Sequence, residues 1–265
     1  MPITVLLTVC LLYFVIHFIG TVAYAPRITG VLSGRLSLSI SIANILSVIA
    51  RFASALMVPI LSKQIESSLI INPKPADIPN DYIPFFGMAI IGTWVGTLCF
   101  KQSIKFIYYT VVAYDVQSNI LLQMLKVLLT LRAKENIQLH IATVNFKKID
   151  YQYILLNVLV TCIYTSATLA AIYSAYIVPQ YRVTSLSCAF LINGVGTVIF
   201  ATILDPYVTS ITDATIAGTE TFPHFYYRIK VFIYSRLVGV VLSIGTFHLF
   251  IYLITKSITY LQSTV

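Results

Sequence analysis

An all-α integral membrane protein with six transmembrane helices is the fold class this sequence predicts, and three observations predict it. Apolar residues make up 58% of the chain and charged residues only 10%, against roughly 25% charged in a soluble domain; the mean hydropathy is +0.89. Six runs, 3–25, 36–62, 83–100, 151–178, 184–204 and 230–255, are apolar enough and long enough to cross hydrocarbon about 30 Å thick, which takes about 20 residues. Prolines and glycines stand between the runs, where turns are needed. A chain in lipid must satisfy its own backbone N–H and C=O groups, so the runs are helices. The loops are too short for a second core, which leaves a single membrane domain over residues 1–265.

Each element has its own justification. No basic stretch precedes the run 3–25, and it exceeds the roughly 7 to 15 apolar residues of a secretory signal, so it reads as a retained span. Pro26 and Gly30 follow it. The run 36–62 carries Arg51, with Ser47 and Ser54 about one turn away and Asn44 about two, a polar seam down one helix face. Pro73, Pro75 and Pro79 close it. The run 83–100 holds Gly92 and Gly96, a spacing that lets helices approach closely. From Ile104 to Leu131 the chain is rich in Ile, Leu, Val and Tyr, while Asp115, Asn119, Gln123 and Lys126 recur at helical spacing and draw one polar stripe. Two readings stay open there: an amphipathic helix in the cytoplasmic interface, or a seventh span whose stripe faces a cavity. Pro179 and Pro206 follow the fourth and fifth runs, and 230–255 contains Arg236 and His248.

Orientation follows from the placement of Lys and Arg. With the N-terminus outside, eleven basic residues face the cytoplasm: Arg27, Arg35, Lys101, Lys105, Lys126, Arg132, Lys134, Lys147, Lys148, Arg228 and Lys230. Four face outward: Lys63, Lys74, Arg182 and Lys256. Both termini are therefore expected to be extracytoplasmic. Topology accounts for the net charge of +8, so nucleic acid has no place as a partner. Anionic headgroups do, at about 1 kcal/mol for each basic residue near the surface.

Sliding the chain against itself by 147 residues lays Arg35 on Arg182, Pro59 on Pro206, Gly92 on Gly239 and Glu66 on Asp213, while Asn44 and Asn193 miss by two. Three helices in each half set the halves in opposite orientations, giving an inverted repeat of the kind found in secondary transporters. The expected organisation is a first half over 1–100, a cytoplasmic amphipathic connector over 101–150, and a second half over 151–265, with substrate held between the halves.

The chemistry expected is binding rather than bond-making. There is no G-x-x-x-x-G-K loop, H-E-x-x-H, G-x-S-x-G or calcium-loop pattern, so no ATPase, no nameable hydrolase and no cofactor is expected. Cys10, Cys99, Cys162 and Cys188 lack metal-ligand spacing. Arg51 lies at the centre of a span, where a charge costs roughly 2.5 to 3.5 kcal/mol on insertion scales and needs compensation. No Asp or Glu lies deep in any of the six runs. The missing counter-charge points to an anionic substrate, and guanidinium favours phosphate through paired planar hydrogen bonds. Pairing of Arg51 with a carboxylate from another helix, and snorkelling of Arg236 to the cytoplasmic face, are the plainer alternatives. His17 and His248 lie inside spans as weaker candidates for proton coupling, with Asp205 and Asp115 beside them.

The segment from Arg27 to Pro59, RITGVLSGRLSLSISIANILSVIARFASALMVP, resembles the Amj family, as do ILDPYVTSITDATIAG with Asp205, Pro206 and Asp213, and SRLVG around Arg236 and Gly239. The resemblance covers most of the chain. It implies a flippase of the bacterial plasma membrane, a multi-pass protein of cell-wall and peptidoglycan biosynthesis, cell shape included. Its substrate would be lipid II, the undecaprenyl-pyrophosphate-linked disaccharide pentapeptide, carried from the inner to the outer leaflet. On that reading Arg51 meets the pyrophosphate, Arg236, Arg35 and Arg27 form the cytoplasmic mouth, and Asn44, Ser47 and Ser54 line the route. A secondary transporter of a small soluble anion is the alternative; it shares the buried arginines and differs in having a closed pocket.

Overall fold

The computed structural model describes residues 2–71, 80–115, 119–130 and 150–264, which are helical throughout apart from short turns, with no strand among them. Pro73, Pro75, Pro79, Lys74, Arg132, Lys134, Lys147 and Lys148 lie outside the described residues. In chain order the α-helices are α1 (Ile3–Val22), α2 (Ala25–Ser33), α3 (Leu36–Ile71), α4 (Ile83–Leu98), α5 (Phe100–Val112), α6 (Ile120–Thr130), α7 (Tyr151–Ile177), α8 (Arg182–Ile199), α9 (Asp205–Ile216) and α10 (Phe222–Thr264). Among the described residues, five single helices or continuous helical stretches are long and apolar enough to cross a membrane, and the bent pair of α4 with α5 makes a sixth when it is counted as one span. The chain is a multi-pass membrane protein.

The prolines start helices more than they stop them. Pro26 stands in the first turn of α2 and Pro84 in that of α4, where a missing N–H has no intrahelical partner to lose. Pro59 sits inside α3, which runs on to Ile71, beyond the end at 62 that the hydropathy predicts. Pro206 was expected to follow a span, yet helix continues through it. A π turn over Phe200–Leu204 widens the backbone just before Pro206, and that altered ladder lets the ring pass without removing an ordinary i to i−4 bond. Gly34, at φ 68°, closes α2 in the left-handed conformation that glycine adopts without strain.

The predicted single helix over Ile104–Leu131 is two shorter ones. Chain direction turns by 62° between α4 and α5, and α5 lays Phe100, Ile104, Ile107 and Val111 into the core beside α2. The helix then stops at Val112, and α6 begins at Ile120 with Asn119 as its cap, its Oδ1 accepting the Leu121 N–H at 2.9 Å. Neither helix alone reaches the length of a crossing.

α7 is the centre of the bundle. Of its most apolar window 61% is buried, against 17% for α3 and 6% for α8 with α9. It packs against α8 and α10, while α1 packs against α3 and α4. Two apolar clusters hold the ends of the bundle. One gathers Val9, Tyr13, Phe85, Leu169 and Phe247; the other gathers Ile28, Ile42, Phe100, Val208 and Phe225. Between them, along α1, α4, α7 and α10, the buried residues turn polar: His17, Thr21, Thr93, Asn157, Thr161, Thr165, Ser166 and Ser235.

Candidate functional site

Asn157 organises this polar middle. It is 2% exposed, and all of its amide is engaged: Oδ1 accepts the Tyr24 hydroxyl at 3.2 Å, and Nδ2 donates to the Phe232 carbonyl at 2.9 Å and to Ser235 Oγ at 2.8 Å. One side chain thus ties the junction of α1 and α2 to α7 and α10. A buried amide so satisfied specifies register, because a slip of either neighbour would orphan it.

Arg236 follows Ser235 and reaches across to α1, over Gly20. A Cβ built at Gly20 would lie 2.2 Å from Arg236 Nη2 and 2.8 Å from Cζ, so the guanidinium occupies the space a methyl group would take. Its Nε is buried without a partner, and the side chain makes no hydrogen bond or ion pair among the described residues. One turn earlier on α1 is His17, 3% exposed, with Nδ1 unpartnered among the described residues and its ring stacked on Tyr13 at 5.9 Å. The site therefore offers a fixed positive charge and an imidazole, and no carboxylate among the described residues pairs with either.

The other arginines divide by whether the protein already uses them. Arg27, with a side chain 12% exposed, pairs through Nη2 with Asp205 Oδ1 at 2.5 Å and donates through Nη1 to Thr209 Oγ1 at 2.8 Å, which locks α2 to α9. Arg35 donates to the carbonyls of Val111 at 3.1 Å and Tyr114 at 3.3 Å, and so caps the end of α5. Arg51 is exposed on α3, on the face away from buried Ile42, Ala53 and Met57, and has no partner among the described residues. Asn44 is exposed two turns before it, Ser54 is half-buried, and Ser47 is turned inward on its own helix, donating to the Ala43 carbonyl at 2.9 Å. The polar seam of α3 thus opens sideways from the bundle, flanked by Val48 and Phe52.

Two remaining candidates stand apart. His248 lies twelve residues after Arg236 on α10, about 18 Å along the axis, where Nε2 is 3.3 Å from the Tyr82 hydroxyl. Asp115 is just past the end of α5. Asn157, Tyr24, Ser235 and Gly20 were not singled out by sequence reasoning. An asparagine inside an apolar run is a recognisable signal for an interhelical hydrogen bond; nothing in the sequence marks Gly20 as the seat of a guanidinium. Among the described residues no group of three His, Cys, Asp or Glu side chains is placed to hold a metal ion.

Comparisons with known proteins agree on one family. The model of the Amj family, described as Alternate to MurJ, matches residues 12–256. The chain is 23% identical over 249 residues to a protein of Bacillus subtilis (strain 168) named Lipid II flippase Amj, covering 90% of this chain and 91% of that relative. No solved structure matches.

Proposed function

The chain belongs to the Amj family, and from that premise we propose that it is a lipid II flippase, moving the undecaprenyl-pyrophosphate-linked precursor from the inner to the outer leaflet of a bacterial plasma membrane. The observation that carries this reading is Arg236, half-buried between two apolar clusters, with Nε orphaned and no counter-charge among the described residues. A guanidinium in a low-dielectric setting is costly unless something anionic visits it, and a diphosphate suits its planar donors.

A polyprenyl-linked headgroup must be sheltered while its tail stays in lipid, so the path has to open sideways. The seam of Asn44, Ser47, Arg51 and Ser54 on α3 supplies such a lateral polar face. Arg51 and Arg236 take the diphosphate, and Arg27 and Arg35 shape the cytoplasmic mouth. No bond is made or broken in this transport. An inside-negative potential favours the outward movement of an anion by about 2.3 kcal/mol per charge at 100 mV, and both termini lie outside.

Complementation tests the reading. In a bacterium depleted of its own lipid II flippase, the parent chain restores lipid II exposure at the outer surface, and Arg236→Ala and Arg51→Ala at equal membrane level do not. A well-inserted parent that fails to restore exposure overturns the proposal and leaves a carrier of small soluble anions.

A further inference from the structure

One of the ion pairs that join distant helices has a counterpart that is not made. Glu66, near the end of α3, meets Arg182, the first residue of α8, at 3.4 Å, and Ser62, Ile65, Ile172, Ala175 and Leu186 line the niche beneath. The residue 147 positions after Glu66 is Asp213, and the residue 147 positions before Arg182 is Arg35. These are again a carboxylate and an arginine. In a molecule of two inverted halves, a contact between one residue of each half recurs between the two related residues, at the opposite end.

Packing supports the same register. A Cβ at Gly92 would lie 2.5 Å from the carbonyl oxygen of Phe14, and one at Gly239 would lie 2.7 Å from Cβ of Thr161. Gly239 is 147 residues after Gly92, and Thr161 is 147 after Phe14, so two equivalent glycines seat two equivalent positions. Helix bounds follow suit: α3, shifted by 147, covers 183–218, and α8 through α9 occupies 182–216.

In this conformation Arg35 is engaged elsewhere, on the carbonyls of Val111 and Tyr114. The Asp213 carboxylate is exposed and has no partner among the described residues. Arg35 follows α2, and Asp213 lies on α9, the two helices that Arg27 and Asp205 already hold together. Asp205, Thr209 and Asp213 recur every four residues, so Asp213 continues the strip of α9 that meets α2. One Arg–carboxylate pair is formed at one end of the bundle while its mirror is open at the other.

We propose that Arg35 and Asp213 form that mirror pair in a second conformation, and that the two pairs close the opposite ends of the transport path in turn. The inference rests on the flippase reading above and adds Glu66, Arg182 and Asp213 to it as positioning residues, with Arg35 in a new role. Exposed pairs of this kind shift a two-state population by about threefold rather than locking it, which suits a gate that must open in every cycle.

The test is cross-linking in membranes, with the four native cysteines replaced by alanine and with Arg35→Cys and Asp213→Cys introduced together. The linked peptide is measured by mass spectrometry after mild oxidation, so the readout needs no lipid II. The expected result is a measurable link that rises roughly threefold when Arg182→Glu sets two carboxylates against each other, and that returns to its starting level when Glu66→Arg is added. General misfolding would not be reversed by the charge swap. Absence of the link in the Arg182→Glu background, or a yield indifferent to Arg182→Glu, overturns the proposal. The flippase reading stands or falls separately, on the complementation result.

Discussion

Gly20→Ala separates the seat of Arg236 from the stability of the helix that provides it. The added methyl would lie 2.2 Å from Nη2, and ordinary contact begins at 3.4 Å, so the guanidinium has to withdraw by at least 1.2 Å, the difference between those two distances. It can do so cheaply, because the clash is with the far end of a flexible side chain. Meanwhile alanine is favoured over glycine in a helix by about 1 kcal/mol, so α1 gains rather than loses. The expected outcome is a protein at least as heat-stable in detergent as the parent, inserted to the same level, that supports lipid II exposure at a small fraction of the parental rate. Binding geometry disturbed by about 1 Å commonly costs up to 100-fold. Gly245→Ala is the matched control, since nothing lies within 4 Å of a Cβ there; it should be silent. Parental transport by Gly20→Ala, with Gly245→Ala unchanged, would refute the assignment of Arg236 to the path.

Asn157→Leu removes the three hydrogen bonds made by the amide; at about 0.6 kcal/mol each in membrane proteins, it should cost about 2 kcal/mol, measured as earlier unfolding in a detergent titration. Arg27→Ala strands Asp205 at the contact of α2 with α9, and the double change with Asp205→Asn should regain part of the lost stability, because the orphaned charge is removed with its partner. Glu220, in the turn before α10, is pushed upward by burial, but the His224 ring at 2.7 Å and the Thr221 N–H at 3.1 Å outweigh this and hold its carboxyl below the ordinary 4.5. Its contribution is therefore present above pH 4.5 and disappears as pH falls through the lowered value; Glu220→Gln should flatten the acid side of a plot of melting temperature against pH.

The spans were legible because the bilayer imposes one dominant rule, and long apolar runs obey it whatever they pack against. Local punctuation was less reliable. Pro206 marks a break on any propensity scale, yet the π turn at Phe200–Leu204 carries the helix past it. The bend at Cys99 has no proline to announce it, and it comes from the amphipathic face of α5 seeking α2. Asn119 fitted a helical stripe by spacing, but an asparagine fits a helix start equally well, and its side chain caps α6. The arginines were visible as charges in apolar runs; which of them the protein neutralises itself was not. Asp205 lies 178 residues from Arg27 in sequence, and only the fold brings that pair together while leaving Arg236 and Arg51 without a partner among the described residues.

The length of α3 and α10 has a bearing on the membranes in which this protein can work. At 36 and 43 residues they extend about 54 and 64 Å, far more than about 30 Å of hydrocarbon requires even with the usual tilt of about 20°. The surplus on α3 is wettable, with Lys63, Gln64, Glu66, Ser67 and Ser68 in its last turns. A few ångströms of thickening or thinning would bring another turn into lipid or release one, with little cost to either helix. The protein is thus built with slack along the membrane normal, and a cell that remodels its acyl chains with temperature need not remodel this protein with them.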